Sequence, residues 1–468
     1  MTRFILNNKE INTSASKGMA LLDFIRYEQH LTGTKIGCRE GDCGACSILV
    51  GESRNGRVVY NSATSCLMAL GNAHGKHVVT VEGINGEGLT PVQTAFAEEG
   101  ATQCGFCTPG FIVSLTGYCM SDKEPGISAV DAMNGNICRC TGYKSIQRAA
   151  ARVESLLQTN TDEQALAFAV QQGIVPGYFL DIPGRLSALE TVSLNGEVGR
   201  DKTFLGGGTD LYVQKHETMV HAPIHFLYDD SALKGIRLNG NTVEMGGAVT
   251  VTDIARSPVF RQHFPGLDRY IKLVSSVPIR NMATLAGNFT NASPIGDFTI
   301  FFLALDAVLV LNHDGRKREL PLRKYYKGYK QLDKDPDEYI ELIRFNLPQQ
   351  SDRFHFEKVC KRTHLDIASV NTALMLRMEN GLILEAGLSA GGVAPVPYYL
   401  QAASAFLSGK RPEPAIVDEC IRVAQSEIAP ISDARGTAEY KRLLLSQLIR
   451  AHFMEMFPEV FNDKTVLA

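Results

Sequence analysis

Thiols are the most concentrated reactive groups in this chain. It has eleven cysteines, and nine precede residue 141, at positions 38, 43, 46, 66, 104, 107, 119, 138 and 140. Gly37-Cys38-Arg39-Glu40-Gly41-Asp42-Cys43-Gly44-Ala45-Cys46 spells C-x4-C-x2-C, and Cys66 follows further on. That is the plant-type spacing of a [2Fe–2S] centre. A loop wrapped around such a centre must turn tightly and aim N–H groups at sulfur, which Gly37, Gly41 and Gly44 permit. Structural zinc, the alternative, usually pairs one short Cys-x-Cys unit with a second or with His, and this loop has neither. A second group follows. Gln103-Cys104-Gly105-Phe106-Cys107 supplies C-x2-C at a predicted helix start, and Asn136-Ile137-Cys138-Arg139-Cys140 supplies C-x-C ahead of another. Helix starts offer free N–H groups and partial positive charge, which favour thiolates. On spacing alone zinc stays open for this group, although C-x-C is less typical of it. Cys119 fits neither pattern and reads as a buried thiol on a helix.

A third chemistry is suggested by glycine. Phe204-Leu205-Gly206-Gly207-Gly208-Thr209-Asp210-Leu211 is an apolar strand followed by a turn able to nest N–H groups around a diphosphate. It lacks the third spaced glycine of a dinucleotide-binding G-x-G-x-x-G, so it does not read as a Rossmann unit.

The elements that would position these groups differ along the chain. Residues 1 to about 83 read as short strands and turns, with a hairpin around Asn7-Asn8-Lys9 and a helix from about Met19 to Gln29. From Thr90 the pattern becomes helical, over Val92–Glu99, Gly110–Met120 and Lys144–Leu157, with Pro91 and Pro109 in first turns. The stretch 159–175 reads as an interdomain linker with some helical content. Strand–turn patterns occupy 176–350, and strands followed by helices occupy 354–468. The charge is 47 − 50 = −3, which gives no electrostatic case for nucleic acid. The longest apolar run, Phe298–Leu305, is eight residues, against about 20 for a membrane span. No signal-peptide pattern opens the chain, so a cytoplasmic location, without membrane partners, is expected.

The motifs CREGDCGACSILV, QCGFCTPGF and NICRCTGY closely resemble the iron–sulfur region of the molybdenum hydroxylases, the xanthine dehydrogenase and aldehyde oxidase family. The resemblance covers residues 1 to about 155. It implies two [2Fe–2S] clusters. Cys38, Cys43, Cys46 and Cys66 would hold one in a plant-ferredoxin-like β-grasp domain (1–83). Cys104, Cys107, Cys138 and Cys140 would hold the other in a helical-bundle domain (84–158), with Gln103 and Cys140 nearest a molybdopterin carried by a partner. The segment Ile279–Asp297 resembles the family's FAD-binding stretch, in a vanillyl-alcohol-oxidase-like (PCMH-type) domain. The FAD contacts this implies are Leu205, Gly206, Gly207, Gly208, Thr209, Asp210 and Leu211, then Thr284, Leu285, Ala286, Gly287, Asn288 and Asp297. Lys358 matches a flavin-contacting lysine, and Ile343 is a weaker apolar match. Several relatives place a Phe over the flavin where this chain has Val274. Arg362 and Asp366 could edge an NAD pocket.

The fold class implied is α+β multidomain, ending in an α+β domain of the CO dehydrogenase flavoprotein type. Fused iron–sulfur and flavin regions without a molybdenum domain resemble the small subunits of bacterial family members. No hydroxylating residue is therefore expected here; it would sit on a large molybdopterin-binding partner, in an α2β2 assembly. The expected role is to carry electrons from hypoxanthine or xanthine oxidation through both clusters to FAD and on to NAD⁺. The alternative within the family is an NADH:acceptor reductase part of an enzyme oxidising aldehydes or N-heterocycles. A redox-sensing or iron-storage protein is disfavoured by the full flavin motif.

Overall fold

Strand Thr2–Leu6 reverses onto Lys9–Thr13 through Asn7-Asn8, with Asn7 at φ 53, a left-handed conformation that asparagine tolerates better than most residues. The computed structural model describes residues 1–121, 127–158, 165–189, 193–195, 202–362 and 364–461. They form two compact units, Met1–Asp229 with Ser276–Ala283, and Asp230–Ser275 with Thr284–Ala468.

In the first unit a five-stranded sheet runs in the order Lys9–Thr13, Thr2–Leu6, His77–Val79, Ser47–Arg54, Arg57–Thr64. Thr2–Leu6 and His77–Val79 pair in parallel, and the other neighbours are antiparallel. The expected helix over 19–29 is only partly present. Leu21–Asp23 makes one α-turn, then Phe24–Glu28 widens until the Gln29 N–H reaches the Phe24 carbonyl at 3.0 Å. Leu21, Leu22, Phe24 and Ile25 are all buried. That is more of the circumference than one apolar stripe supplies, so core packing overrides the regular period.

Helices Pro91–Glu98, Thr108–Met120, Ala129–Ala132 and Lys144–Leu157 follow. Capping boxes at Thr90 (with Gln93) and Ser128 (with Asp131) start two of them. Thr108–Met120 is buried from Gly110 through Met120 and forms the hub of this part, with Cys119 inside it. The stretch 159–175, expected as a linker with some helical content, carries a helix at Ala165–Gln171. Its Phe168 and Ala169 join Ile174, Val175 and Phe179 in the same core. Residues 159–164 lie outside the described residues. The unit boundary falls within 176–350. Leu205, Tyr212, Met219, Ile224, Phe226 and Met282 bury into the ferredoxin-like core, which ties the strand–helix–strand 203–226 to the first unit.

The second unit holds an antiparallel sheet in the order Arg316–Pro321, Val308–His313, Tyr339–Asn346, Thr242–Gly246, Ile236–Asn239. A four-stranded antiparallel sheet follows, Arg353–Val359, Val370–Glu379, Leu382–Gly391, Tyr398–Tyr399. Its central hairpin turns at Asn380-Gly381, both at positive φ (51 and 73), as a two-residue turn between right-twisted strands requires. The apolar run Phe298–Leu305 fills the buried helix Asp297–Ala304 and its C-cap Leu305, and the helix backbone sits directly on Gly387, where a Cβ would meet the Ala304 carbonyl at 2.2 Å. Rings of Phe264, Phe301, Phe302, Phe345 and Phe354 interlock around it. At about 1.5–3 kcal/mol per buried large apolar side chain, this aromatic cluster dominates local stability. No described helix is long and apolar enough to cross a membrane.

Candidate redox centres

Both cysteine groups lie in the first unit, and in each the sulfurs stand as pairs. Cys46 and Cys66 approach to 3.4 Å between sulfurs, and Cys104 and Cys140 to 3.6 Å. Cys38 pairs with Cys43, and Cys107 with Cys138. Tetrahedral thiolates at about 2.3 Å from a shared metal stand about 3.8 Å apart, so Cys46 with Cys66 and Cys104 with Cys140 each fit two ligands of one ion. No three thiols, imidazoles or carboxylates converge on one point among the described residues. Separate pairs suit a binuclear centre, whose bridging sulfides hold two irons apart, better than a single zinc ion, which gathers four ligands.

Ionisation follows the same pairing. Hydrogen bonding from Cys43 lowers the Cys38 thiol to about 5, while Cys43 rises because it holds the shared proton. Cys46 is lowered by Cys66, which rises in turn. Cys104 is lowered by the Phe106 N–H and by Cys140, and Cys140 rises. Burial opposes ionisation of Cys138, yet donation from Thr141 brings it below the ordinary value, while burial and Cys138 push Cys107 up to about 12. In each pair one thiol is thus made easier to ionise than its neighbour, and a metal binding there would displace protons. Backbone N–H groups of Cys38 and Glu40 point at Cys43 and Cys38 sulfur (3.4 and 3.3 Å), and those of Cys140 and Thr141 at Cys138 sulfur (both 3.4 Å). Such donors stabilise an anionic cluster.

The two groups are stitched together. The Ile137 N–H donates to the Cys43 carbonyl at 3.0 Å, one residue before Cys138. Asn136, 5% exposed, donates to the Gly44 carbonyl (3.0 Å) and accepts from Ser114 (2.8 Å). Nothing in the cysteine spacing marks Asn136; only a buried amide with partners on both loops shows its part. Asn136→Ala should cost about 2–3 kcal/mol of stability, by orphaning those partners and opening a void, as read by denaturant unfolding of the cluster-loaded chain. Each group has partly covered thiols, Cys38 and Cys43 in the first and Cys107 in the second, and Cys138 is buried; the groups differ in their remaining members. Cys46 and Cys66 are buried, whereas Cys104 and Cys140 are exposed. Phe106, Ile137 and Tyr143 are exposed within the same segments (47%, 40% and 38%).

The residues expected to touch flavin fall in both units. In the first, Leu205 ends strand Thr203–Leu205 and helix Leu211–Met219 begins after the turn through Gly206, Gly207, Gly208, Thr209 and Asp210. Gly207 lies so close to the Met282 carbonyl (1.7 Å from a built Cβ) that no side chain fits. The same cavity wall carries Lys76, whose ammonium bridges Glu52 (3.0 Å) and Asp229 (2.9 Å) and stands 4.6 Å from the centre of the Tyr228 ring. Burial alone would lower its pKa, but the two carboxylates outweigh it and the net shift is upward, so it stays charged.

In the second unit Thr284 caps helix Leu285–Asn291 by accepting from the Gly287 N–H at 3.2 Å, with Leu285, Ala286 and Asn288 in the same helix. Asp297 pairs with Lys358 at 2.7 Å and accepts from Asn371 at 2.6 Å; Lys358 also donates to the Leu273 carbonyl at 2.8 Å. Sequence reasoning missed Asn371, because its place beside Asp297 depends on the Val370–Glu379 strand register. Ile343 is fully buried within its strand. Val274 follows helix Leu267–Leu273 and is half-buried. Arg362 and Asp366 pair with each other at 3.6 Å.

Comparison with known proteins bears on the whole chain. Residues 4–70 match the 2Fe-2S iron-sulfur cluster binding domain, 80–151 the [2Fe-2S] binding domain, 185–349 the FAD binding domain in molybdopterin dehydrogenase, and 355–456 the CO dehydrogenase flavoprotein C-terminal domain. The chain belongs to the molybdenum hydroxylases. Within that family it is an iron–sulfur and FAD portion, with two [2Fe–2S] domains and one FAD domain. Xanthine dehydrogenase of Emericella nidulans is 30% identical over 94% of this chain and 38% of that protein. Aldehyde oxidase 2 of Rattus norvegicus is 25% identical over 99% of this chain and 40% of that protein. The chain thus spans about two fifths of the length of these relatives. Reconstituted CO dehydrogenase from Oligotropha carboxidovorans superposes with a TM-score of 0.52 at 26% identity, over 57% of this chain and 92% of that one.

Proposed function

We propose that this molybdenum hydroxylase portion carries electrons from a molybdopterin-bearing partner subunit to NAD⁺ during xanthine or hypoxanthine oxidation. Cys104, Cys107, Cys138 and Cys140 hold the cluster nearer the partner, and Cys38, Cys43, Cys46 and Cys66 the cluster nearer flavin. The observation that carries this reading is the asymmetric joined pair of cysteine groups. Cys104 and Cys140 are exposed, with Phe106, Ile137 and Tyr143 exposed in the same segments as a surface for a partner, and the Ile137–Cys43 hydrogen bond joins that group to the one holding the buried Cys46 and Cys66. When bound, the clusters pass single electrons and FAD converts them into a pair for the nicotinamide. The chain's residues position these groups. Within the first unit the glycine turn Gly206–Gly208 would receive a diphosphate, and sulfur-directed N–H groups would stabilise reduced clusters; within the second, the Lys358–Asp297 pair would offer polar contacts to FAD. The match to a rat aldehyde oxidase along nearly the whole chain favours one second reading, in which the partner oxidises an aldehyde or N-heterocycle instead.

The test is reconstitution. The purified chain should contain about four iron and four sulfide per FAD, as two such clusters require. It should let NADH reduce a dye while leaving xanthine untouched, because fully thiolate-ligated clusters leave no open position for the attacking water. Adding a molybdopterin-loaded partner should create xanthine-dependent NADH formation that rises with partner concentration. Two irons per chain, stoichiometric zinc, or xanthine oxidation in demonstrated absence of molybdenum would each overturn the assignment. An aldehyde oxidised in place of xanthine would select the second reading.

A further inference from the structure

Arg39 is the one cation in the loop from Gly37 to Cys46, beside Glu40 and Asp42. Its backbone sits at φ 58, a conformation disfavoured for a residue with a long side chain. The residues around it point at the proposed cluster: the Cys38 N–H donates to Cys43 sulfur and the Glu40 N–H to Cys38 sulfur. Its guanidinium forms a two-pronged pair with Asp23 (3.1 and 2.6 Å), and both side chains are largely covered, at 29% and 24% exposure. Asp23 is anchored by the buried Leu21–Asp23 turn. The same guanidinium interacts electrostatically with Cys66, a thiol of the other pair in this group. One cation thus follows Cys38 directly in the chain, on a loop whose N–H groups face sulfur, and is matched by one anion.

We propose that Arg39 and Asp23 act on the reduction potential of the cluster at Cys38, Cys43, Cys46 and Cys66 as opposed and balanced charges, Arg39 raising it and Asp23 lowering it. A [2Fe–2S] centre gains one negative charge on reduction. A nearby cation stabilises the reduced form and a nearby anion destabilises it, and partial burial keeps the solvent from screening either fully. Because the pair is neutral as a whole, its effect is latent, and removing either partner exposes the other. Arg39 acts through charge on the cluster and is a positioning residue for electrons, not a ligand.

This rests on the cluster reading above, and the experiment separates the two. The full chain, loaded with clusters and FAD, is titrated with reductant while low-temperature EPR follows both [2Fe–2S] signals; the signal missing from Cys43→Ser belongs to the first cluster. A chain without two such signals defeats the cluster reading itself. With both present, Asp23→Asn should move the first cluster to a more positive potential and Arg39→Gln to a more negative one. Asp23→Asn with Arg39→Gln should return it near the unaltered value, and the second cluster should not move in any variant. Arg39→Lys keeps the charge without the fork and should stay near the unaltered potential. Shifts of the same sign in both single variants, no shift with the cluster intact, or loss of the cluster in both would overturn the proposal. So would Arg39→Lys behaving like Arg39→Gln, which would make the pair a loop clamp rather than a charge device.

Discussion

Cys43→Ser and Cys138→Ser should each abolish substrate-to-NAD⁺ turnover in the enzyme assembled with its partner, while NADH-to-dye reduction at FAD survives. The two residues lie at either end of the hydrogen bond that joins the cysteine groups, Cys43 through its carbonyl and Cys138 next to the donating Ile137. Each loses one sulfur of a pair, Cys43 the partner of Cys38 and Cys138 the partner of Cys107. A serine hydroxyl is a poor replacement for a soft thiolate at iron. The loss should exceed about 100-fold, beyond the roughly 10–100-fold seen when a group behind a metal ligand is changed. Stopped-flow absorbance with substrate on one side and NADH on the other reads both halves. In Cys138→Ser the first cluster should still be reduced by NADH but no longer by substrate. Normal substrate-to-NAD⁺ turnover in a variant shown to lack its cluster would contradict a serial path.

Asp297→Ala should destabilise the second unit by about 3–5 kcal/mol and weaken FAD binding. It strips the Lys358 ammonium, only 2% exposed, of its carboxylate partner while the Leu273 carbonyl still accepts from it, and unpairs the Asn371 amide from the same carboxylate. A buried charge stripped of its counter-ion carries that order of cost. Urea unfolding of the FAD-loaded chain measures the first effect, and flavin absorbance retained after dialysis measures the second. Asp297→Leu combined with Lys358→Met separates them: exchanging both charges for apolar groups should recover much of the stability but not the flavin. Flavin retention by that double variant would show that the ion pair serves folding alone.

Much of this protein is legible in its amino-acid sequence. Cysteine spacing marks both cluster groups because a metal centre demands particular donor atoms at short separations along the chain, and such local demands survive in sequence. The Asn7-Asn8 and Asn380-Gly381 turns, the prolines opening Pro91–Glu98 and Thr108–Met120, and the apolar run of Asp297–Ala304 are local in the same way. Other features depend on contacts between residues far apart in sequence. The helix expected at 19–29 gives way to a widened turn because four of its residues are needed in one core. Helix Ala165–Gln171 contributes Phe168 and Ala169 to the helical part, and 203–226 joins the ferredoxin-like core. Which sulfurs pair, how Asn136 binds the two loops, and how Asp23 reaches Arg39 sixteen positions away follow from that packing. Sequence alone determined the donor atoms and thereby the chemistry, since these are properties of residue type and spacing. Only the tertiary structure decided their pairing, burial and charge environment, because a thiol's or an amide's partners are set by which distant surfaces the hydrophobic cores bring together.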